Sequence, residues 1–600
     1  MTLKVNSHVL KLYRYLPFSP LHSQIYEEQA NPDHMKSIPT RAGKSLVSIV
    51  RDKATRLVIL TGDAGHGKTH LCRRLLEEVL HLEPRDAHEC LKARGDGVET
   101  LGRVASRDLY VVRDLSEVDE DDHAIRLLAS ALEDPGRVLV VCANEGKLRK
   151  VVSVASEELK EVRETLEGSR ERGWTSVDPR VTVLDLNNQS VTAGEEEGFL
   201  GELLQQWVRD GRSWRICAEC DAAMTCPIKQ NRDRLAGEDD EVLGGIRRDG
   251  FHTLLRVIEQ CGVSVTIREL LILLAFAITG GKDCVGVHQR YRQKPEDRSW
   301  QSKHLYSQVV FDPPIARDNR KALSILSVLS RIDPGRQAIR AIDDVLAADP
   351  LLVDDTFAPE RIEGTTETPK SRLEAKKEAS LHSALFAFLR RRDFFELLTE
   401  NGRLEQASRS ERLGFRYHEE FQFLLTDASP SDRTQIRNKV LRGLEAVQDI
   451  RRGSSPRAKF AVVDPAFANV RGNASILSAM LPVTSIQVLS QSSLWDKDGA
   501  TGELVSGAVD WVDRDVVVRF GDSGVNLTLD LLQFEFVLRS AEGLSSRNFY
   551  KADIRRISTT LAQLTAAVQN LDNEINVVYA DRNIQLFIDE GGRIGCQGGL

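Results

Sequence analysis

The feature that most constrains this chain is a glycine-rich loop set between an apolar segment and a helix-prone one. Residues 57–60 are apolar, residues 62–69 have the spacing Gly-x-x-x-x-Gly-Lys-Thr, and residues 70–80 favour a helix. A strand, a loop of this spacing and a helix in that order form the phosphate-binding loop of P-loop NTPases. The sequence therefore predicts an α/β fold with a parallel sheet and a bound nucleotide.

Each residue of this loop has an expected contact with ATP or GTP. Glycine tolerates the backbone angles that turn successive N–H groups toward phosphates, and a helix that begins near Lys68 adds its positive dipole end. Lys68 is expected to reach the β- and γ-phosphates, and Thr69 to place its hydroxyl on Mg²⁺. The expected nucleotide contacts are Gly62, Asp63, Ala64, Gly65, His66, Gly67, Lys68, Thr69 and His70.

Length and composition indicate a multidomain cytoplasmic protein. The chain has 600 residues, too many for one core, and its net charge of −8 argues against general polyanion binding. No apolar run approaches the roughly 20 residues that span a bilayer, no signal peptide is evident, and the odd number of cysteines, nine, favours free thiols or metal ligands. The expected regions are an N-terminal segment (1–50), a P-loop NTPase core (51–192), a helical lid (193–330), a helical region (331–455) and a C-terminal α+β module (456–600).

Two further strands are expected to end in polar residues beside the loop. Residues 109–112 lead to Arg113 and Asp114, so Asp114 resembles a Walker B acid that holds Mg²⁺, with a plain strand end as the alternative. No glutamate follows Asp114 directly, so the base that activates water is Glu117 or Glu145. Residues 137–141 form the next strand, and Asn144 beyond it is the expected sensor 1, which orients the attacking water.

The segments that follow predict the rest of the sheet and a helical lid. A strand at residues 181–186 follows a charged helix at 156–172, which is typical of a parallel α/β sheet. Thr266 is an expected N-cap for an apolar helix that is buried at residues 270–278. Arg268 has the place of sensor 2, a lid arginine that contacts the γ-phosphate, with a surface arginine as the alternative. The predicted catalytic residues are Lys68, Asp114, Asn144, Glu145 and Arg268.

Three closely spaced cysteines indicate a structural zinc site. Cys217 and Cys220 form a CxxC pair, and Cys226 follows five residues later. A CxxC turn offers two thiolates to one tetrahedral Zn²⁺, and a closed site needs a fourth ligand. Cys284 is the leading candidate for that ligand. The alternatives are His288, Cys261 and His252, and redox-active or plain cysteines would need no metal at all.

The remaining sequence carries weaker signals. Residues 288–294 mix cations and aromatic side chains near Trp300, a mixture that binds nucleic acids in some proteins, although charge runs usually face solvent. A polar loop is expected at 363–370 and a helix at 381–398, with residues 390–392, all arginine, exposed. Short strands at 460–463, 485–489, 516–520, 577–580 and 584–588, with helices at 531–540 and 552–567, predict the C-terminal module.

The order of these motifs carries a family resemblance. The 62–69 loop, residues 142–146 and 184–187, the cysteine knuckle and the Thr-x-Arg helix before Gly280 resemble the P-loop ATPase component of bacterial DNA phosphorothioation-dependent restriction systems. Related anti-phage defence ATPases of the AAA+ and STAND types share the likeness, which is best over residues 57–284. Gln189 departs from it, because an arginine is expected after the fifth strand. The resemblance implies an assembly on foreign DNA in which nucleotide state controls a partner nuclease.

Three hypotheses for function follow. The leading one is an ATPase that uses ATP and Mg²⁺ within a defence system, with Arg149 as a guess for an arginine finger. The second is a slow nucleotide-gated scaffold, and the third is a DNA-binding or helicase-loading AAA+ module. The expected partners are other defence proteins and double-stranded DNA, with homo-oligomers also compatible and no membrane expected.

Overall fold

The structure of the chain is a computed structural model. It describes residues 2–20, 22, 38–118, 120–155, 157–194, 198–294, 300–315, 324–348, 372–398, 408–426, 429–450, 458–463, 474–495, 502–544, 550–568, 574–579, 582–588 and 593–598. The polar loop expected at 363–370 lies outside these ranges. The chain forms two compact units: unit 1 comprises residues 1–259, 263–414 and 496–512, and unit 2 comprises residues 260–262, 415–495 and 513–600. The finer division into five regions stays a prediction.

Strands and helices are distributed over both units. The strands of the described residues are β1 (Leu57–Thr61), β2 (Gly102–Val104), β3 (Arg107–Val112), β4 (Arg137–Ala143), β5 (Val181–Asp185), β6 (Lys459–Val463), β7 (Ala474–Pro482), β8 (Ile486–Ser490), β9 (Val516–Phe520), β10 (Asn526–Leu529), β11 (Glu574–Tyr579), β12 (Arg582–Ile588) and β13 (Ile594–Gly598). The helices are α1 (Ser7–Tyr13), α2 (Arg41–Arg51), α3 (Lys68–Val79), α4 (Pro84–Arg94), α5 (Asp121–Glu133), α6 (Glu145–Val154), α7 (Lys160–Glu171), α8 (Phe199–Val208), α9 (Gly211–Ala218), α10 (Pro227–Ala236), α11 (Glu241–Gln260), α12 (Ile267–Thr279), α13 (Cys284–Gln293), α14 (Tyr306–Val309), α15 (Ser324–Leu329), α16 (Arg340–Ala348), α17 (Arg372–Glu396), α18 (Arg409–Arg412), α19 (His418–Leu425), α20 (Pro430–Val447), α21 (Val505–Ala508), α22 (Leu531–Ala541) and α23 (Lys551–Val568).

Unit 1 is built on a five-stranded mixed sheet in the order β2-β3-β4-β1-β5. The pairs β1–β4, β1–β5 and β3–β4 are parallel, whereas β2 is antiparallel to β3. The register places Thr61 beside Ala143 on one side and beside Asp185 on the other. Parallel strands end at the same edge of a sheet, so the segments that follow β1, β4 and β5 meet there.

The central strand β1 is covered on both faces. Leu57 and Ile59 belong to a buried cluster with residues of α5, α6 and α7, and Val58 and Leu60 on the opposite face are equally buried. A strand covered on both faces is a continuous apolar run, because neither face meets water. The strands expected at 57–60, 109–112, 137–141 and 181–186 are confirmed, and unit 1 is α/β with a mostly parallel sheet.

The apolar helix α12 is a core element of unit 1. Its N-terminus has a capping box: Thr266 accepts a hydrogen bond from the Glu269 N–H at 3.2 Å, and the Glu269 carboxylate accepts one from the Thr266 N–H at 3.0 Å. By length and composition alone, the stretch Ile267–Gln293 could cross a membrane, but 67% of its most apolar window is buried inside the protein. Gly280, at φ +60°, ends α12 within that stretch. The expected buried helix is confirmed.

Unit 2 contains two antiparallel sheets with helices. The sheets have the orders β10-β9-β8 and β13-β12-β11-β7-β6, and α20 packs against α22. The expected strands near 460, 486, 516, 577 and 584 and the helices at 531–540 and 552–567 are confirmed. Strands β7, β10 and β13 were not predicted from the sequence. Serine, asparagine, proline and glycine interrupt their apolar pattern, so only pairing with neighbours reveals them.

A segment from the C-terminal part of the sequence belongs to unit 1. Residues 502–512 lie between β8 and β9 in the chain, yet they are hydrogen-bonded to the unit that holds the glycine-rich loop. The backbone N–H of Thr175 donates to the Glu503 carbonyl at 2.7 Å, and that of Ser190 donates to the Asp510 carbonyl at 2.6 Å. These backbone hydrogen bonds hold residues 502–512 on unit 1.

The structure corrects the exposed arginine run expected at residues 390–392. Each of these arginines is mostly buried and paired with a carboxylate: Arg390 with Asp343 at 2.7 Å, Arg391 with Asp333 at 2.6 Å, and Arg392 with Glu396 at 2.7 Å. Two of the three partners lie some fifty residues away in sequence, which local charge patterning cannot reveal. Most of the mixed segment at 288–294 forms the last part of α13.

The buried carboxylate of Glu259 is expected to stabilise the turn after β5. It accepts hydrogen bonds from Ser190 Oγ at 2.6 Å, the Val191 N–H at 2.9 Å and Thr192 Oγ1 at 2.9 Å. Glu259→Leu leaves these buried donors without this acceptor, so we expect a loss of about 1–3 kcal/mol in the free energy of unfolding. Urea denaturation measures it, with the exposed Glu241→Leu on the same helix as control. Equal midpoints for the two variants would contradict the expectation.

Candidate functional site

The glycine-rich loop adopts the conformation that its sequence predicts. Gly62, Gly65 and Gly67 have φ angles of +136°, +106° and +81°, which residues with side chains rarely adopt. Gly67 is the N-cap of α3, so the amides of the first helical turn point toward the loop. A Cβ atom at position 65 would lie 3.1 Å from the Cβ of Arg268. The loop and the lid helix approach this closely only because residue 65 is glycine.

Lys68 lies inside the curve of the loop. Its ammonium group donates hydrogen bonds to the carbonyls of Gly62 at 2.6 Å and Asp63 at 3.1 Å, and to Asn144 Oδ1 at 3.1 Å. Burial lowers the pKa of Lys68. Carbonyl and amide oxygens thus accept the hydrogen bonds that Lys68 would donate to the phosphate oxygens of a nucleotide.

Asp114 and Asn144 are joined through one serine. The Asp114 carboxylate accepts a hydrogen bond from the Ser116 N–H at 2.8 Å, and the Asn144 amide donates to Ser116 Oγ at 3.5 Å. Since Asn144 also accepts from Lys68, these contacts link the ends of β3 and β4 to the loop. The hydroxyl of Thr69 and the carboxylate of Asp114 line the same cavity. They are hard oxygen donors of the kind that Mg²⁺ prefers.

Glu145 is held outside the lining of that cavity. Its carboxylate accepts from Arg149 Nε at 2.6 Å and from the Asn187 amide at 3.4 Å, and Asn187 Oδ1 accepts from the Asp63 N–H at 3.0 Å. The contacts connect the ends of β4 and β5 to the loop. Arg149, the guess for an arginine finger, is paired within its own helix. The geometry gives Glu145 a positioning contact rather than direct access to the cavity.

Glu117, the other candidate base, does line the cavity. Its carboxylate is 62% exposed and pairs with Arg113 NH2 at 3.0 Å. Arg113 is the residue that interrupts the expected Walker B pattern, and here it neutralises the nearby acid.

The lid helix begins directly on the loop. The backbone N–H of Arg268 donates to the Gly65 carbonyl at 3.1 Å, and His66 Nε2 lies 3.3 Å from Ser264 Oγ. Arg268 lines the same cavity as Lys68 and adds to the lowering of the Lys68 pKa. The structure therefore brings Arg268 to the same cavity as Lys68, and the sensor 2 role stays a prediction.

These residues surround a cavity of about 500 Å³, within the range of roughly 300–1,000 Å³ that is usual for ligand pockets. Seven lysine and arginine side chains and four carboxylates line it, so its charge favours an anion. Apolar and aromatic side chains from the N-terminal helices and α8 also line it. They include Tyr15, Ile38, Pro39, Val47, Phe199, Leu203 and Trp207.

Sequence reasoning missed the N-terminal contribution to this cavity. Residues of α1 and α2 line it, including Lys11 and Lys44, and so does Arg14 at the end of α1. The Tyr15 ring lies 5.4 Å from that of Trp207 on α8, which fixes the end of α1 beside the lid. No motif marks these residues. Only the amphipathic character of α1 and α2 could have shown that they pack on another element.

The cysteines of the expected knuckle lie near one another. Cys217 interacts electrostatically with Cys220, Cys226 and Cys284, and Cys220 Sγ lies 3.5 Å from His288 Nε2. The described residues contain no group of three or more His, Cys, Asp or Glu side chains already set at metal-binding spacing. Two of the alternative zinc ligands lie in other parts of the structure. Cys261 belongs to unit 2, beside Asp530 and Glu535, and His252 lies on α11.

Known proteins give no further guide to the site. Comparison of the chain with protein-family models, with curated proteins and with solved structures finds no significant match. The function of the cavity therefore has to be argued from its own residues.

Close contact between Gly65 and the lid gives a testable expectation. Gly65→Ala forces a rare backbone angle and pushes a Cβ against Thr266 and Arg268, so we expect nucleotide affinity to fall about tenfold or more. Titration with a fluorescent ATP analogue measures the affinity. Gly146→Ala on α6 is the control, because a Cβ there meets nothing within 4 Å. Equal affinities of the two variants would contradict the expectation.

Proposed function

We propose that this chain is an ATPase, with an AAA+- or STAND-like P-loop core, that acts in bacterial anti-phage defence. The observation that carries the proposal is that Lys68, Asp114, Asn144 and Arg268 line one cavity. The sequence assigned these residues to separate motifs spread over two hundred positions. Their meeting beside a glycine-rich loop supports a nucleotide site more strongly than the loop alone.

Lys68 and Asn144 supply the central step of the proposed mechanism. When ATP enters, the Lys68 ammonium exchanges the Gly62, Asp63 and Asn144 oxygens for β- and γ-phosphate oxygens. The Asn144 side chain, released from Lys68, then orients a water molecule in line with the γ-phosphate. Thr69 and Asp114 would hold Mg²⁺, which neutralises charge on the phosphates.

Arg268 connects this chemistry to the lid. The backbone N–H of Arg268 donates to the Gly65 carbonyl while Arg268 lines the cavity. A bound γ-phosphate would therefore attract the Arg268 side chain, and the loss of that phosphate after hydrolysis would release it. The rings of Tyr15 and Trp207, which also line the cavity, provide aromatic surface for the adenine base.

A slow nucleotide-gated switch is the second candidate. The observation that favours it is that both candidate bases are paired with arginines, Glu117 with Arg113 and Glu145 with Arg149. Without a free base, turnover slows and the bound nucleotide itself becomes the signal. ATP binding without steady hydrolysis, even with double-stranded DNA present, would select this candidate.

A role in a larger assembly is the least direct part of the proposal. Its basis is the family resemblance and the segment at residues 502–512, which hydrogen-bonds Ser190 next to the cavity residue Gln189. This segment continues along the chain into β9 of unit 2. The proposed partners are a nuclease and double-stranded DNA, and the proposed location is the cytoplasm.

Lys68→Ala is expected to reduce ATP hydrolysis by at least about a hundredfold, because it removes the charge that stabilises the transferred phosphoryl group. Phosphate release is measured with and without double-stranded DNA. The control is Lys53→Ala, an exposed lysine just before β1. Normal turnover in Lys68→Ala, with the melting temperature unchanged, would rule out this ATPase.

The two candidate bases can be separated by paired variants. Glu117→Gln is expected to lower turnover and leave ATP affinity unchanged, because Glu117 lines the cavity. Glu145→Gln is expected to weaken ATP binding instead, since Glu145 positions the loop through Asn187 and Asp63. Single-turnover hydrolysis and ATP titrations measure both effects. The reverse pattern would assign the base to Glu145.

A further inference from the structure

Four cysteine side chains from three segments of unit 1 come together beside the lid. Cys217 lies in the last turn of α9, Cys220 in the turn that follows, Cys226 is the N-cap of α10, and Cys284 is the first residue of α13. Cys217 interacts with the other three, and Cys284 interacts with Cys220 and Cys226. Thus a CxxC turn, a third nearby cysteine and a fourth cysteine almost sixty residues later share one location.

Hydrogen-bond donors surround these sulfur atoms. The backbone N–H of Asn6 points at Cys284 Sγ, 3.5 Å away, and the Asn6 side-chain amide donates to Cys217 Sγ at 3.2 Å. Cys226 Sγ faces the backbone N–H groups at the start of α10. The cluster thus combines one buried thiol, that of Cys284, with three partly exposed ones and with N–H donors on several sides.

We propose that Cys217, Cys220, Cys226 and Cys284 bind one Zn²⁺ ion as four thiolates. Zn²⁺ takes tetrahedral sulfur sites, with structural sites closed by four protein ligands. Mg²⁺ and Ca²⁺ are excluded because they require oxygen ligands. The described residues hold no ready-made metal site, so binding of the ion would draw these thiols closer together. The N–H groups around the sulfurs then act as the hydrogen-bonded surroundings that tune a metal site.

Asn6 connects this zinc site to the nucleotide cavity. Its side chain caps α1 by accepting from the His8 N–H at 2.8 Å, and its amide also donates to the Ser213 carbonyl at 3.0 Å. His8 and Ser213 both line the cavity, as do residues of α12, the helix that precedes Cys284. The zinc ion therefore joins α1, α9 and the lid. We expect the bound zinc ion to hold these helices together where they line the cavity.

Metal content is the first test and needs no nucleotide. Purified full-length chain from zinc-supplemented cultures is expected to contain about one zinc ion per chain by mass spectrometry of the metal. Cys217→Ser combined with Cys284→Ser should remove it, whereas Cys90→Ser and Cys596→Ser, in α4 and β13, should keep it. A wild-type chain without zinc, with iron–sulfur absorption or with disulfides among these cysteines would overturn the proposal.

Cobalt substitution tests the ligand set without any variant. Co²⁺ bound to the wild-type chain is expected to show the intense thiolate-to-metal absorption of a four-sulfur tetrahedral site. His288→Ala should leave both this spectrum and the zinc content unchanged, because His288 lies beside Cys220 without completing the site. Loss of the metal in His288→Ala would overturn the four-thiolate assignment.

The link to the cavity rests on the proposed function, and its test is separate. Removing zinc with a chelator is expected to weaken ATP binding about tenfold, a usual size for coupling between two sites. Lys68→Ala should retain its zinc. A zinc-loaded chain that fails to bind ATP would refute the ATPase and leave the zinc site standing. Unchanged ATP affinity in the zinc-free chain would refute the link.

Discussion

Everything in unit 1 depends on the parallel pairing of β1 with β4 on one side and β5 on the other. The register sets Thr61 beside Ala143 and Asp185, so three chain segments leave the sheet at one level. The glycine-rich loop follows Thr61, and Asn144 follows Ala143. A slip of one residue would turn these strands over, since successive side chains point to opposite faces, and it would bury the polar groups that now meet.

The contact between the glycine-rich loop and the lid is the second constraint on the cavity. The lid begins on the Gly65 carbonyl, and its capping box fixes the start of α12 just where Arg268 enters the cavity. Glycine at position 65 allows this approach. Cys284 of the proposed zinc site follows the C-terminus of the same helix, α12. Nucleotide and metal would thus bind near the two ends of α12.

The local elements were predictable where a motif or a continuous apolar run marked them. The strands β1, β4 and β5 and the buried helix α12 follow from such runs, because they are buried on all sides, and the run at residues 109–112 marks β3. Strand β7 did not, since polar residues interrupt it and only pairing with β6 and β11 fixes it. The paired arginines at 390–392 were misjudged for a related reason: two of their carboxylate partners lie far away in the sequence.

The sequence alone determined the chemistry that unit 1 offers. The spacing of Gly62, Gly67, Lys68 and Thr69 requires one backbone shape, because only glycine tolerates the angles involved. Tertiary structure alone decided which groups share the cavity. It brought α1 and α2 to the cavity, paired Glu117 with Arg113, and placed Asn6 within hydrogen-bond distance of two cysteine sulfurs. Those contacts join residues far apart in the chain, and long-range packing, which no local pattern encodes, selects them.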